Sequence, residues 1–142
     1  MKLIPYLWAG LVGGVLMGAV SEIGYRLKLF QMGLVTTDGT FAAKILNLKT
    51  ETKMIIGLGV PIHLATGMAF GFGYGLLCLV FYLEPKAWSN IALYTFFLWI
   101  CMLLTALPIA GQGLMGQKAG RRVWFEQLLV HVLFGMGFWW AL

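Results

Sequence analysis

Apolar residues in this chain fall into four long blocks, separated by connections that hold nearly all of the charge. The blocks run over about residues 3–23, 54–83, 88–107 and 123–142. A membrane-spanning helix needs roughly 20 mostly apolar residues, and each block meets that requirement. The second is longer than a bilayer demands, so it is expected to tilt or to project beyond the hydrocarbon. Barrel strands alternate apolar and polar positions over about 10 residues, which these continuous blocks do not do. The pattern predicts an all-α integral membrane four-helix bundle, a single transmembrane domain over residues 1–142. Lys2 followed by an apolar run resembles a signal peptide, but no A-x-A-like site follows, so the run is expected to be kept as a helix.

The connections differ in character. The first, roughly residues 24–53, is too long for a tight turn. Thr36-Thr37-Asp38-Gly39 reads as a turn, and after it Phe41, Ile45 and Leu48 share one helical face with Lys44 outside the stripe. This predicts a short interfacial helix lying on the cytoplasmic surface. The second connection is tight, around Glu84-Pro85-Lys86. The third contains Gly111-x-Gly113-x-x-Gly116, nominally a dinucleotide fingerprint, but it follows a membrane helix and no βαβ unit is present, which excludes that reading. The same Gly-rich turn leads into Lys118, Arg121 and Arg122, a candidate site for an anionic lipid headgroup beside the ordinary role of charged anchors.

Composition agrees with a membrane protein. The chain is 61% hydrophobic and 11% charged, against about 25% charged in a soluble domain. The net charge of +5 has a topological reading. Arg26, Lys28, Lys44, Lys49 and Lys53 lie in or beside the first connection and Lys118, Arg121 and Arg122 in the third, whereas the opposite side has only Lys2 and Lys86. Lys and Arg accumulate on cytoplasmic loops, so both termini are expected outside the cytoplasm of an inner (plasma) membrane. Tyr6, Trp8, Trp88, Trp124, Trp139 and Trp140 fall near the span ends as an aromatic belt. No basic stripe with interleaved aromatics suggests a nucleic-acid partner. The expected partners are the lipid bilayer and other membrane subunits or further copies of the chain. Cys78 and Cys101 lie inside predicted spans, where a free cysteine acts as a small hydrophobe, although a disulfide between adjacent antiparallel spans is geometrically possible.

The chain also repeats itself around its two histidines. His63 opens HLATGMAF and His131 opens HVLFGMGF, so that Gly67 matches Gly135, Met68 matches Met136 and Phe70 matches Phe138. This predicts two tandem parallel two-helix repeats related by a pseudo-twofold axis along the membrane normal. Ionisable groups inside a membrane face the bundle interior or a functional pathway. Counted from the cytoplasmic edge at 1.5 Å per residue, both histidines fall roughly 12–14 Å deep. Glu22, Thr66 and Glu126 form a shallower polar cluster, with Glu126 about 140° around the helix from His131. Gly10, Gly14 and Gly18 form a small-residue seam for close helix approach, within the chain or to a second one.

Three readings follow. Interhelical bonds from the histidines fix the register of an accessory or scaffold subunit of a larger membrane complex, rather than an independent enzyme. Alternatively, His63 and His131 are axial ligands of a single b-type haem, with Gly67 and Gly135 admitting the porphyrin and Phe70 and Phe138 packing its faces, in an electron-transfer protein. A third reading uses Glu22, His63, Glu126 and His131 as a metal or proton site, as in a small transporter. No nucleophile–base pair with recognisable spacing supports a hydrolase.

His63 followed by Phe70 and Tyr74, then Pro85 and Trp88, Pro108 with a nearby glycine, and Trp124, Glu126, His131 and Trp139 together resemble the YagU-like family of small bacterial inner-membrane proteins. The resemblance covers roughly residues 60–140. It implies a bacterial inner-membrane helical bundle and carries no catalytic residues.

Overall fold

A computed structural model describes residues 2–48 and 51–142, and among these no strand occurs. Five helices are present: α1 (Ile4–Arg26), α2 (Leu34–Ile45), α3 (Thr52–Phe81), α4 (Trp88–Ile109) and α5 (Val123–Ala141). α1, α4 and the Lys53–Phe81 part of α3 are long and apolar enough to cross a membrane. α5 carries Glu126, Gln127 and His131, and all three side chains are turned into the protein.

α1 lies at the centre because glycine removes side chains from two of its faces. Gly10, Gly14 and Gly18 meet α3: a Cβ on Gly10 would fall 2.9 Å from the Gly71 nitrogen and would strike the Gly67 carbonyl. Gly13 meets α5, where a Cβ would sit 2.8 Å from the Phe134 carbonyl. The seam legible in the sequence is thus used within the chain, letting backbones come into contact where bulkier residues would hold them apart. α4 completes the bundle against α5 and reaches α3 through Tyr94, whose hydroxyl donates to the Phe70 carbonyl at 2.8 Å. The α3–α4 turn is tight as expected, with Tyr82 left-handed at φ 52° and the Tyr74 hydroxyl donating to the Pro85 carbonyl at 3.0 Å.

The first connection departs from its expected form. Thr36-Thr37-Asp38-Gly39 is not a turn but the middle of α2, and the expected stripe does not line a surface helix. Helix α2 ends at Ile45, which is exposed, as is Leu48 beyond it; the buried face is Leu34, Thr37, Gly39, Ala42 and Ala43. Lys49 lies outside the described residues. The physical reason is twofold. Thr37 and Thr40 return their hydroxyls to the carbonyls of Gly33 and Thr36, one turn back, so these side chains no longer compete with the helix. Gly39 serves close packing instead of a turn: a Cβ there would strike the Ile55 carbonyl, and one on Gly59 of α3 would strike that of Val35. The two glycines let α2 lie antiparallel along the first half of α3.

The two basic connections meet at one end of the bundle. Lys44 donates to the Ala110 carbonyl at 2.7 Å, and the Gln31 side chain accepts from the Arg122 backbone N–H at 2.9 Å. Lys118, Arg121 and Arg122 are exposed at that end.

Candidate functional site

Near the basic end all five helices contribute to one cavity of about 230 Å³, whose walls include Asp38, His63, Thr66, Cys101, Thr105 and His131. Five helices can converge there because each carries something small or bent at that level. α1 offers Gly14, α3 offers Gly67, and α4 departs from α-helical geometry in a π-helical segment, Met102–Ala106. Such widened turns are common at functional sites, because the extra residue re-aims the side chains around it. Toward the opposite end the cavity is closed by rings: Phe70 stands edge-on to Phe134 at 6.4 Å, Phe134 stacks on Phe138 at 5.9 Å, and Tyr74 follows at 5.3 Å from Phe138.

His63 lies flat against α1, where a side chain on Gly18 would come within 2.7 Å of the ring. Its Nε2 is 3.1 Å from the Gly14 carbonyl, and its Nδ1 is 2.6 Å from Asp38 Oδ2. A carbonyl only accepts, so Nε2 carries a hydrogen and donates it. The short contact to Asp38 then needs one further proton, on Nδ1 or on the carboxyl. In either arrangement the pair is neutral overall. His131 is simpler: Nδ1 donates to the Gln127 carbonyl one turn earlier at 2.7 Å, which leaves Nε2 as an acceptor when the ring is neutral. The ring is 3% exposed and borders the same cavity as His63.

The haem and the metal or proton readings require His63 and His131 to share a site, whereas the accessory reading does not; both residues line one cavity with Thr66. Sequence reasoning missed Asp38, the sole aspartate of the chain. Flanked by two threonines and a glycine, Asp38 carries the local signature of a turn. A signal was nevertheless present: the Phe41–Ile45 face extends back through Asp38, Thr37 and Leu34 at helical spacing. Glu22 and Glu126 do not line the cavity. Glu22 pairs with Arg26 at 3.2 Å, and Glu126 accepts from the Gln31 backbone N–H at 2.8 Å, holding the α1–α2 connection onto α5. Cys78 and Cys101 are both free thiols.

The haem pocket of the alternative reading does not fit these residues. Both nitrogens of His63 are engaged by the protein. Gly67 is filled by the backbone of α1, Gly135 faces Thr95, and Phe70 and Phe138 pack on other rings. A cavity of about 230 Å³ is also smaller than the roughly 300–1,000 Å³ of an ordinary ligand pocket, and a porphyrin needs more. No group of three or more His, Cys, Asp or Glu side chains with metal-binding proximity occurs among the described residues. Comparison of the chain with protein-family models, curated proteins and solved structures finds no match.

Proposed function

We propose that the chain is a small multi-pass membrane protein performing proton-coupled transport of a small solute, with Asp38, His63 and His131 at its centre. α1, α3, α4 and α5 are its four spans, forming two tandem two-helix units with α2 inserted in the first. The basic end faces the cytoplasm and both termini face away from it, as the distribution of Lys and Arg favours. From His63 to Phe81, α3 rises about 27 Å, nearly the ~30 Å of a hydrocarbon core. The cavity accordingly sits nearer the cytoplasmic boundary than the roughly 12–14 Å counted along the sequence for its histidines, with its ring-lined wall toward the far side. The resemblance of residues 60–140 to the YagU-like proteins adds a bacterial inner-membrane setting and no activity.

The observation that carries this reading is the meeting of one carboxylate and two imidazoles, from three helices, around a single cavity. A proton held between Asp38 and His63 beside a second imidazole with a free acceptor is suited to being passed on, because transfer between such groups needs little rearrangement. The test uses proteoliposomes with a trapped pH dye and a preset pH gradient. They are challenged separately with small ammonium, carboxylate and neutral solutes. One class should collapse the gradient faster than in protein-free vesicles and faster than with Asp38→Asn. If no class does so, and an imposed potential does not either, the reading is overturned.

An accessory or scaffold role is the second reading. It is favoured by bonds that tie different elements together: Asp38 to His63, Tyr94 to Phe70, and Trp99 to the Trp124 carbonyl at 3.0 Å. Each such bond contributes about 0.6–2 kcal/mol in a membrane bundle and fixes register. Under that reading Asp38→Asn leaves every flux unchanged.

A further inference from the structure

Resting on the transport reading, we infer that the cavity takes a small organic amine, bound as its ammonium in exchange for the proton shared by Asp38 and His63. The polar atoms of the walls point to this class. The hydroxyl of Thr37 donates to Gly33 and that of Thr105 donates to Cys101. The Nε2–H of His63 is held by Gly14, and the Nδ1–H of His131 by Gln127. The strong donors are therefore committed within the protein. The wall atoms left uncommitted are Asp38 Oδ1, which has no hydrogen-bond partner among the described residues, and His131 Nε2, an acceptor when the ring is neutral. The Thr66 hydroxyl and the Cys101 thiol serve in either sense. No Lys or Arg lines the cavity. A solute that must accept hydrogen bonds finds few donors, whereas an ammonium finds two acceptors.

Shape and walls agree. Phe41, Phe70 and Phe134 are among the lining residues, an aromatic wall compatible with a cation and its hydrocarbon part. A cavity of about 230 Å³ lies below the roughly 300–1,000 Å³ of drug-sized ligand pockets, so the solute is a compact amine and not a lipid.

The exchange balances in charge. Before binding, Asp38 and His63 together hold the Nε2 hydrogen and one shared proton, and are neutral. An ammonium R-NH3+ enters and donates to Asp38 and to His131 Nε2, while the shared proton leaves to water. His63 remains as neutral imidazole with its Nε2–H on Gly14. One positive charge enters and one departs. The titratable groups around the cavity are Asp38 from α2, His63 from α3, Cys101 from α4 and His131 from α5; α1 contributes the Gly14 carbonyl.

The test is calorimetry on the full chain in mild detergent, with benzylamine as the probe and benzyl alcohol and benzoate as controls of similar shape. Titrations in buffers of different ionisation enthalpy count protons. Benzylamine should bind with release of about one proton, and the controls should not bind. Asp38→Asn should weaken binding at least about tenfold and abolish the release. Phe41→Ala, which enlarges the cavity without touching the acceptors, should admit a longer amine such as phenethylamine more tightly than the wild type does. Binding of benzoate or benzyl alcohol in place of the amine overturns the inference, as does amine binding without proton release. Amine binding without flux in vesicles instead defeats the transport reading and leaves the ligand assignment standing. Flux of a carboxylate or neutral solute without amine binding does the reverse.

Discussion

Asp38 Oδ2 lies 2.6 Å from Nδ1 of His63, although the two residues are 25 positions apart in the chain and on different helices. The contact joins the inserted helix α2 to the longest helix of the bundle, and it makes a lone aspartate part of a polar centre. Its partner on the other side of the ring is the Gly14 carbonyl of α1. One imidazole thus links three helices, and changes on any of them should be felt at the same place.

Removing the carboxylate should cost stability. Asp38→Ala leaves a buried imidazole nitrogen without its hydrogen-bond partner, an unsatisfied group worth about 1–3 kcal/mol. Asp38→Asn retains an amide whose N–H can donate to the bare Nδ1 of the neutral ring, and should cost less. Unfolding in detergent, followed by helicity against rising denaturant, gives the order wild type, Asn, Ala. Equal stability of the Ala variant and the wild type would show that the contact contributes nothing to the fold.

Two glycines of the same helix should behave oppositely. A Cβ on Gly67 would fall 2.7 Å from the Gly10 carbonyl, so Gly67→Ala forces α1 and α3 apart and should destabilise by about 1–3 kcal/mol. Around Gly57 there is nothing within 4 Å, so Gly57→Ala should be neutral or stabilising by about 0.5–1 kcal/mol, through the lower backbone entropy of the unfolded chain. Thermal denaturation of the pair separates helix packing from glycine's intrinsic helix cost. A Gly67→Ala variant as stable as Gly57→Ala would contradict the close α1–α3 contact.

The two free thiols should differ in reactivity. Cys101 borders the cavity, whereas Cys78 is 3% exposed in the core. A small maleimide should therefore modify Cys101 and spare Cys78, as read by mass spectrometry of Cys→Ser single variants. Gly39→Leu should accelerate the reaction at Cys101, because any side chain there drives α2 off the Ile55 carbonyl and opens the cavity wall. Faster labelling of Cys78 than of Cys101 would be incompatible with this arrangement.

Sidedness can be read at the two exposed connections. Asn47 and Tyr82 are both exposed, both left-handed at φ 52°, and at opposite ends of the bundle. In a Cys78→Ser, Cys101→Ser background, Tyr82→Cys should react with a membrane-impermeant maleimide added to intact cells. Asn47→Cys should react only after permeabilisation. The reverse pattern would mean that the basic end faces outward.

The helical blocks were legible because apolar composition and length alone decide whether a segment suits a bilayer, and neither depends on what the segment touches. Block limits near residues 3, 54, 88 and 123 fall close to the starts of α1, α3, α4 and α5, although only the first three of these helices are long and apolar enough to cross a membrane; α5, with Glu126, Gln127 and His131, falls short. The glycine seam of α1 was legible too, since it is set by spacing along one helix. What faces it was decided only by the tertiary structure. Nothing local reveals that Gly67 is filled by the α1 backbone, or that Glu22 and Glu126 turn away to Arg26 and Gln31. Asp38 is the sharpest case. Its neighbours favour a turn by local hydrogen bonding, and only packing against α3, with His63 25 residues away to receive the carboxylate, makes the segment helical and the aspartate part of the cavity. Short-range preferences contribute a few tenths to about one kcal/mol per residue, and long-range contacts of this kind outweigh them.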